Sequence, residues 1–186
     1  MTADWIPACA GMTGATHLAP ATNTTGDNMA RERRYWLMKS EPGVYGIEHL
    51  ARDKSAGWSG VRNYQARNFM RDDMKQGDGV FFYHSNAEPA AIAGIAKVTR
   101  ESHPDPTQFD TSDVHYDPKA TKDKPVWMMV EIGFVAKFAR PIALDELRKT
   151  KGLEGMALLK RGQRLSIMPV TAAEWAIVCR MAGVHA

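Results

Sequence analysis

The clearest hydrophobic pattern in the chain is an unbroken alternation. Val126, Met128, Val130, Ile132, Phe134, Ala136 and Phe138 occupy every second position, which predicts a long strand with one apolar face. Trp127 is out of phase with that face. Further strand-length runs are Tyr35-Trp-Leu-Met-Lys39, closed by Glu41-Pro42-Gly43; residues 80–85, launched by Gly77-Asp78-Gly79; residues 91–99, rich in small side chains; and Leu165-Ser-Ile-Met-Pro-Val170. Helical spacing takes over in 63–74, with Ala66, Phe69, Met70 and Met74 on one face. Short helical turns are expected at 47–50, 144–149 and 155–159. Thr171-Ala-Ala-Glu174 reads as a capping box opening a helix whose Trp175, Val178, Cys179 and Ala182 recur at i, i+3, i+4 and i+7. Tyr35, Trp36, Phe81, Phe82 and Trp175 lie in these periodic elements and are assigned to the core.

Strands and short helices interleave without a regular strand–helix–strand rhythm. The expected class is α+β: a mixed, mostly antiparallel β-barrel with peripheral short helices. Residues 1–30 differ from the rest in being dominated by Thr, Ala, Gly, Asn and Pro. Such a stretch buries too little apolar surface to offset its ordering entropy. It is expected to be a disordered N-terminal extension, with Met29 a plausible alternative start, ahead of one domain over 33–183.

At 186 residues and a formal charge of +3, the body has the size of one ordinary domain, and its charge permits a nucleic-acid partner without demanding one. No apolar run approaches the roughly 20 residues of a membrane helix, and no secretory pattern opens the chain. Cys9 and Cys179 form no metal or redox motif. The expectation is a cytoplasmic monomer without membrane contact, cofactor or metal. Enzyme signatures fail: there is no nucleophile elbow, no glycine-rich phosphate loop and no zinc-deaminase motif. His84 and Ser85 are strand neighbours and point to opposite faces, so they form no nucleophile–base pair. The Pro- and Asp-rich segment 103–125 carries His103, Asp105, Asp110, Asp113, His115 and Asp117, but at no compact ligand spacing. It reads as a solvated loop.

The unusual chemistry lies in Trp58-Ser-Gly-Val-Arg-Asn-Tyr-Gln-Ala-Arg-Asn68. Core segments avoid such a density of amides and guanidinium groups, because each one buried without a partner costs about 2–7 kcal/mol. A surface segment has no need of the Trp and Tyr. Together they suit a site that stacks a flat ligand and hydrogen-bonds its edge. Phe81-Phe-Tyr-His-Ser-Asn86 repeats the combination. On this reading Trp58 is one wall and Trp127, being out of phase, a candidate second. Ser40, Asn63 and Gln65 carry both donors and acceptors, the complement of a nucleobase edge.

Tyr35-Trp-Leu-Met-Lys-Ser-Glu-Pro42, the Trp58–Asn68 motif, Phe82-Tyr-His-Ser-Asn86, His115-Tyr-Asp-Pro118 and Arg164-Leu-Ser-Ile-Met-Pro-Val170 together resemble an EVE domain, a member of the PUA-like group that includes the YTH readers of methylated adenine. Lys39-Ser40 and Trp58-Ser59 are similar to paired residues of the YTH motif. The sequence departs from the family at Gly46, where Ser or Thr is usual, and at Ala90 and Ala91. The resemblance implies a compact PUA-like barrel and a non-catalytic reader of a modified, methylated-type nucleobase in DNA or RNA. The base would be held by Ser40, Trp58, Val61, Asn63, Tyr64, Gln65, His84, Ser85, Asn86 and Trp127. Lys39, Arg62, Arg67 and Arg164 would contact the nucleic-acid backbone. Two alternatives stand beside it: an enzyme acting on a modified base, with His84, Glu41 or Asp117 as acid or base, and a small-ligand or protein-interaction module on the same barrel.

Overall fold

A computed structural model describes residues 31–184. The expectations for residues 1–30, Cys9 included, lie outside the described residues. Strand β1 (Tyr35–Ser40) leads into helix α1 (Pro42–Tyr45), whose proline sits in the first turn, where its fixed φ fits and no amide donor is missed. Helix α2 (Ile47–Asp53) is longer than the predicted single turn, and short strand β2 (Ser55–Gly57) follows it. The predicted helix over 63–74 is instead two joined pieces. Helix α3 (Tyr64–Asn68) is capped by Asn63, whose Oδ1 accepts the Ala66 N–H at 3.0 Å, and it runs into a π-helical turn, Phe69–Asp73. The Met74 N–H closes that turn on the Phe69 carbonyl at 2.9 Å.

Strand β3 (Gly79–His84) and strand β4 (Ala91–Pro104) are antiparallel partners, and β4 continues five residues past the predicted end. A 3₁₀ turn (Pro106–Phe109) precedes strand β5 (Met128–Ala143). Helix α4 (Leu144–Lys149), a second 3₁₀ turn (Ala157–Leu159), strand β6 (Ile167–Val170) and helix α5 (Ala172–Met181) complete the order. The Thr171–Glu174 capping box forms as read. The Glu174 N–H donates to Thr171 Oγ1 at 3.2 Å, and the Thr171 N–H donates to Glu174 Oε2 at 2.8 Å.

The six strands form one sheet in the order β2-β5-β4-β3-β1-β6. Its class is the expected mixed, mostly antiparallel one; β1 and β3 are the parallel pair. Closure is not as expected. The sheet is open, with β2 and β6 at its edges, because both faces are covered by helices and turns instead of being rolled onto one another.

Parity along the central strands explains the covering. Trp36, Met38, Val80 and Phe82 point to one face, where α2, the Trp58 loop, α3 and the π-turn supply Ile47, Leu50, Val61, Ala66 and Met70. Leu37, Phe81 and Tyr83 point to the other, meeting Leu147, Leu158, Trp175, Val178 and Cys179. A strand buried on both sides must be apolar at every position, which is why Val80-Phe-Phe-Tyr83 reads as a continuous run. At Gly94 the sheet admits no side chain. A Cβ there would collide with the Ala136 carbonyl and lie 2.9 Å from Ile47 Cγ1, so this glycine lets α2 settle onto the sheet.

Candidate functional site

The loop after β2 is pinned at several points. The Trp58 N–H donates to the Val130 carbonyl at 2.8 Å, tying the loop to β5. Gly60 takes φ +77, which only glycine adopts freely, and its N–H donates to Asp105 Oδ2 at 2.8 Å. The His115 ring would stand 3.0 Å from a Cβ at that position. Arg62 donates to Asp105 Oδ2 at 2.9 Å, to Thr107 Oγ1 at 2.8 Å and to the His115 carbonyl at 2.7 Å. Asp105 is fully buried and also accepts from the Thr107 N–H and hydroxyl at 2.9 and 2.7 Å. Burial alone would raise its carboxyl; the bonds from Arg62, Thr107 and the Gly60 N–H outweigh that and hold it below the ordinary carboxylate range.

Two expectations change here. The segment 103–125 is not simply a solvated loop. Asp105 and Gln108 are fully buried, and Gln108 substitutes for a backbone partner: its Oε1 accepts the Val126 and Trp127 N–H groups, and its Nε2 donates to the Asp105 and Trp127 carbonyls. Arg62 was expected on a phosphate, yet its donors are used inside the protein. It braces the loop.

The Trp58 indole lies largely in the core, only 8% exposed, instead of forming an open wall. It meets Phe82 edge-on at 5.5 Å, and Phe82 meets His84 in the same way at 5.7 Å. Phe82 and His84 share a strand face, and Ser40 sits in register with His84 across the parallel pair. The ladder continues as the Ser85 N–H donates to the Ser40 carbonyl at 2.9 Å. Beyond it Asn86, at φ 50, donates from Nδ2 to Glu41 Oε1 at 2.6 Å.

His84 Nε2 accepts the Ile47 N–H at 3.1 Å, which requires the neutral ring and leaves the proton on Nδ1. Burial pushes this imidazole below its usual pKa, against the pull of Glu48 and with the push of Lys137. Because the folded value is lowered, the stability held by the neutral ring is fully present above the unfolded value near 6.5 and is lost as pH falls through it towards the folded one. A proton NMR titration should find His84 titrating below about 6.5, and stability should fall less between about pH 7 and 5 in His84→Gln than in the parent. A His84 midpoint above the ordinary value would contradict the assigned tautomer. Among the described residues neither His84 Nδ1 nor the Trp58 indole N–H has a hydrogen-bond acceptor.

The α3 flank carries a separate stack. Tyr64, 58% exposed, lies on Trp127 at 4.8 Å, with the Arg67 guanidinium 4.8 Å from the Tyr64 ring. Trp127 was expected as a second wall on the assumption that strand parity governs it. The strand begins one residue later, and Trp127 is buried, with its indole N–H donating to Asp117 Oδ2 at 2.7 Å and its face covered by Tyr64. Arg67 donates to the Val126 carbonyl at 3.0 Å and to Asn68 Oδ1 at 2.7 Å. Asn63 spends its Oδ1 on the α3 cap, Gln65 is exposed, and Val61 belongs to the same buried cluster as Trp58.

Lys39 and Arg164 fall elsewhere. Strand parity turns Lys39 away from Ser40, to the face of Tyr83, where its Nζ stands 3.4 Å from the Gln163 carbonyl. Arg164 is exposed on the turn before β6. Nine of the expected residues thus fall into three groups: Ser40, Trp58, Val61 and His84 on the sheet face of Phe82; Tyr64, Arg67 and Trp127 on the α3 flank; Lys39 and Arg164 across the sheet. Sequence reasoning missed Asp105 and Thr107 as anchors, although an Asp two residues before a Thr in a turn is a recognisable local cap signal.

The EVE domain family pattern matches residues 34–181. Thymocyte nuclear protein 1 of Danio rerio is 48% identical over 162 residues, covering 77% of this chain and 69% of its own length. A crystal structure of a Pseudomonas putida protein superposes with a TM-score of 0.77 at 49% identity, covering 80% of this chain and 99% of the other. The human THYN1 protein, solved in complex with 5-methylcytosine containing DNA, does so with a TM-score of 0.74 at 43% identity, covering 82% and 99%. The Danio relative carries "nuclear" in its name, so the cytoplasmic expectation finds no support; among the described residues no helix is long and apolar enough to cross a membrane. With the family pattern spanning nearly all of the described residues and the same fold in its solved relatives, the chain belongs to the EVE domain family.

Proposed function

We propose that this chain is a non-catalytic reader that takes a modified base of DNA, of the 5-methylcytosine type, at the loop and strand end that carry Trp58 and His84. The observation that carries this reading is the likeness, at 43% identity, to the human THYN1 protein in complex with 5-methylcytosine containing DNA. The local chemistry supports it. The N–H groups of Trp58 and His84 are donors without protein acceptors among the described residues, and the pyrimidine edge of cytosine offers acceptors. The hydroxyl of Ser40, in register with His84, can donate or accept. Val61 borders Trp58 and supplies apolar surface for a methyl group.

The groups that a base-modifying enzyme would need are engaged otherwise. His84 Nε2 is occupied by the Ile47 N–H, and Glu41 by Asn86. The Lys119 N–H, together with the Trp127 indole, holds the Asp117 carboxyl below its usual range, so it is no proton donor near neutrality.

Taking a base out of a duplex costs a few kcal/mol. One aromatic contact returns about 1–3 kcal/mol, so backbone contacts must supply the remaining affinity. A methyl group in an apolar slot discriminates by about 1–3 kcal/mol, which sets the expected preference at tens of fold. Fluorescence anisotropy with methylated, hydroxymethylated, formylated and plain cytosine in otherwise identical DNA and RNA oligonucleotides tests this. One modified DNA should bind tens of fold more tightly than its plain counterpart. Equal affinity across the panel would remove the reader assignment, and free nucleoside binding as tightly as DNA would favour a small-ligand sensor.

A further inference from the structure

Across the sheet from Trp58 lies a cleft of about 550 Å³. Lys39, Arg148, Lys160, Arg161 and Arg164 line it, and none of its lining residues is acidic. The concentration is unusual for this chain, whose net charge is only +3. With those five set aside, the remaining basic residues are fewer than the 21 acidic ones. The cleft is therefore a positive spot on an otherwise slightly acidic molecule.

Tyr83, Leu144, Leu158 and Leu159 line the cleft beside these cations, and Gly162 takes φ +76 in the turn that carries Lys160, Arg161 and Arg164. Among the described residues Lys39, Lys160, Arg161 and Arg164 have no carboxylate within ion-pair distance, and Arg148 pairs only with the exposed Asp145 at 3.0 Å. Lys39 is the telling member. It is half-buried, its ammonium has the Gln163 carbonyl at 3.4 Å as its protein partner, and burial lowers its pKa. A partly desolvated ammonium beside like charges gains when an anion arrives.

We propose that this cleft binds the phosphodiester backbone of the DNA strand on one side of the recognised base. The inference rests on the reader assignment. Lys39 and Ser40 are consecutive residues at the end of β1 and face opposite sides of the sheet. A strand that places its base beside Ser40 and His84 has only to cross the rim formed by the ends of β1 and β3 to reach Lys39. Phosphates fit the cleft better than a carboxylate-bearing partner does, because arginine forks match phosphate oxygens bidentately and several adjacent cations suit a repeating anion.

The test uses the full chain carrying Arg161→Ala and Arg164→Ala together, both at exposed positions, with binding to modified and plain oligonucleotides followed across a salt series. Affinity for both should fall by about tenfold, and the slope of log affinity against log salt should lessen by about two. The ratio of modified to plain affinity should stay unchanged. Shortening the oligonucleotide on one side of the modified base, and not on the other, should erase the difference between variant and parent. Unchanged affinity and slope in the double variant would overturn the cleft while leaving the base reading intact. A loss confined to the modified oligonucleotide would overturn it too, since phosphate contacts cannot see the base. If the parent shows no modified-base preference, the reader assignment fails, and the salt slope on plain DNA still decides the cleft.

Discussion

Replacing Asp105 with alanine is expected to lower the stability of the domain by about 3–5 kcal/mol, the usual cost of removing one member of a buried pair. For a domain of this size the melting temperature should drop by roughly 6–20 °C. The Asp105 carboxylate accepts four hydrogen bonds from three residues: one from the Gly60 N–H, one from the Arg62 guanidinium, and two from the N–H and hydroxyl of Thr107. Its loss strands a guanidinium in a largely protein environment and frees the loop that carries Trp58. Arg62→Met alone should be nearly as damaging, because it leaves the carboxylate buried. The double variant should recover part of the loss, since no unpaired charge remains. The folded carboxyl lies below its unfolded value, so its stabilisation is complete above about pH 4 and disappears as pH falls through the folded value. Asp105→Ala should accordingly lose less stability than the parent on going below about pH 4. Thermal melts of the parent, both single variants and the double variant, at neutral and acid pH, decide the matter; a change under about 1 kcal/mol for Asp105→Ala would show that the loop stands without this anchor.

Trp58→Ala is expected to do two things, because the indole is core and, on the proposed reading, also part of the site. Emptying its place against Phe82 should cost about 3–5 kcal/mol of stability. Preference for the modified base should vanish, with the loss of an aromatic contact of about 1–3 kcal/mol. Trp58→Phe separates the two, retaining most of the packing while deleting the indole N–H. It should stay folded and bind the modified DNA several-fold to tenfold more weakly, as expected for a hydrogen bond worth roughly 1 kcal/mol. If a folded Trp58→Ala protein kept the parent's preference in an anisotropy titration, the base would have to lie elsewhere.

Much of the fold was legible because it follows from local chemistry. The alternation through 126–138 anticipated most of β5, the Thr171–Glu174 signal marked the start of α5, and the assignment of Trp36, Phe81, Phe82 and Trp175 to the core holds. The structure departs where local pattern leaves a choice open. An apolar stripe does not distinguish α from π spacing over a single turn, so 63–74 reads as one helix. Parity assigns Trp127 to a strand that starts one residue after it. The barrel was inferred from antiparallel pairing, whereas helices on both faces of the sheet remove the need for closure.

The candidate site divides along the same line. The amino-acid sequence by itself determined the family and singled out the segments proposed to carry the chemistry, the Trp58 motif and the His84 segment. These are properties of neighbouring residues, and neighbours are what a sequence records. Only the tertiary structure decided how each side chain spends its donors. Arg62 and Asn63 turned out to hold the scaffold, His84 became a neutral donor through the Ile47 N–H, and Lys39 was sent to a basic cleft with Arg148, Lys160 and Arg161. The physical reason is that a hydrogen bond or a cluster of charges depends on separations of a few ångströms between residues far apart in the chain, such as Arg62 and Asp105, and packing alone brings them together.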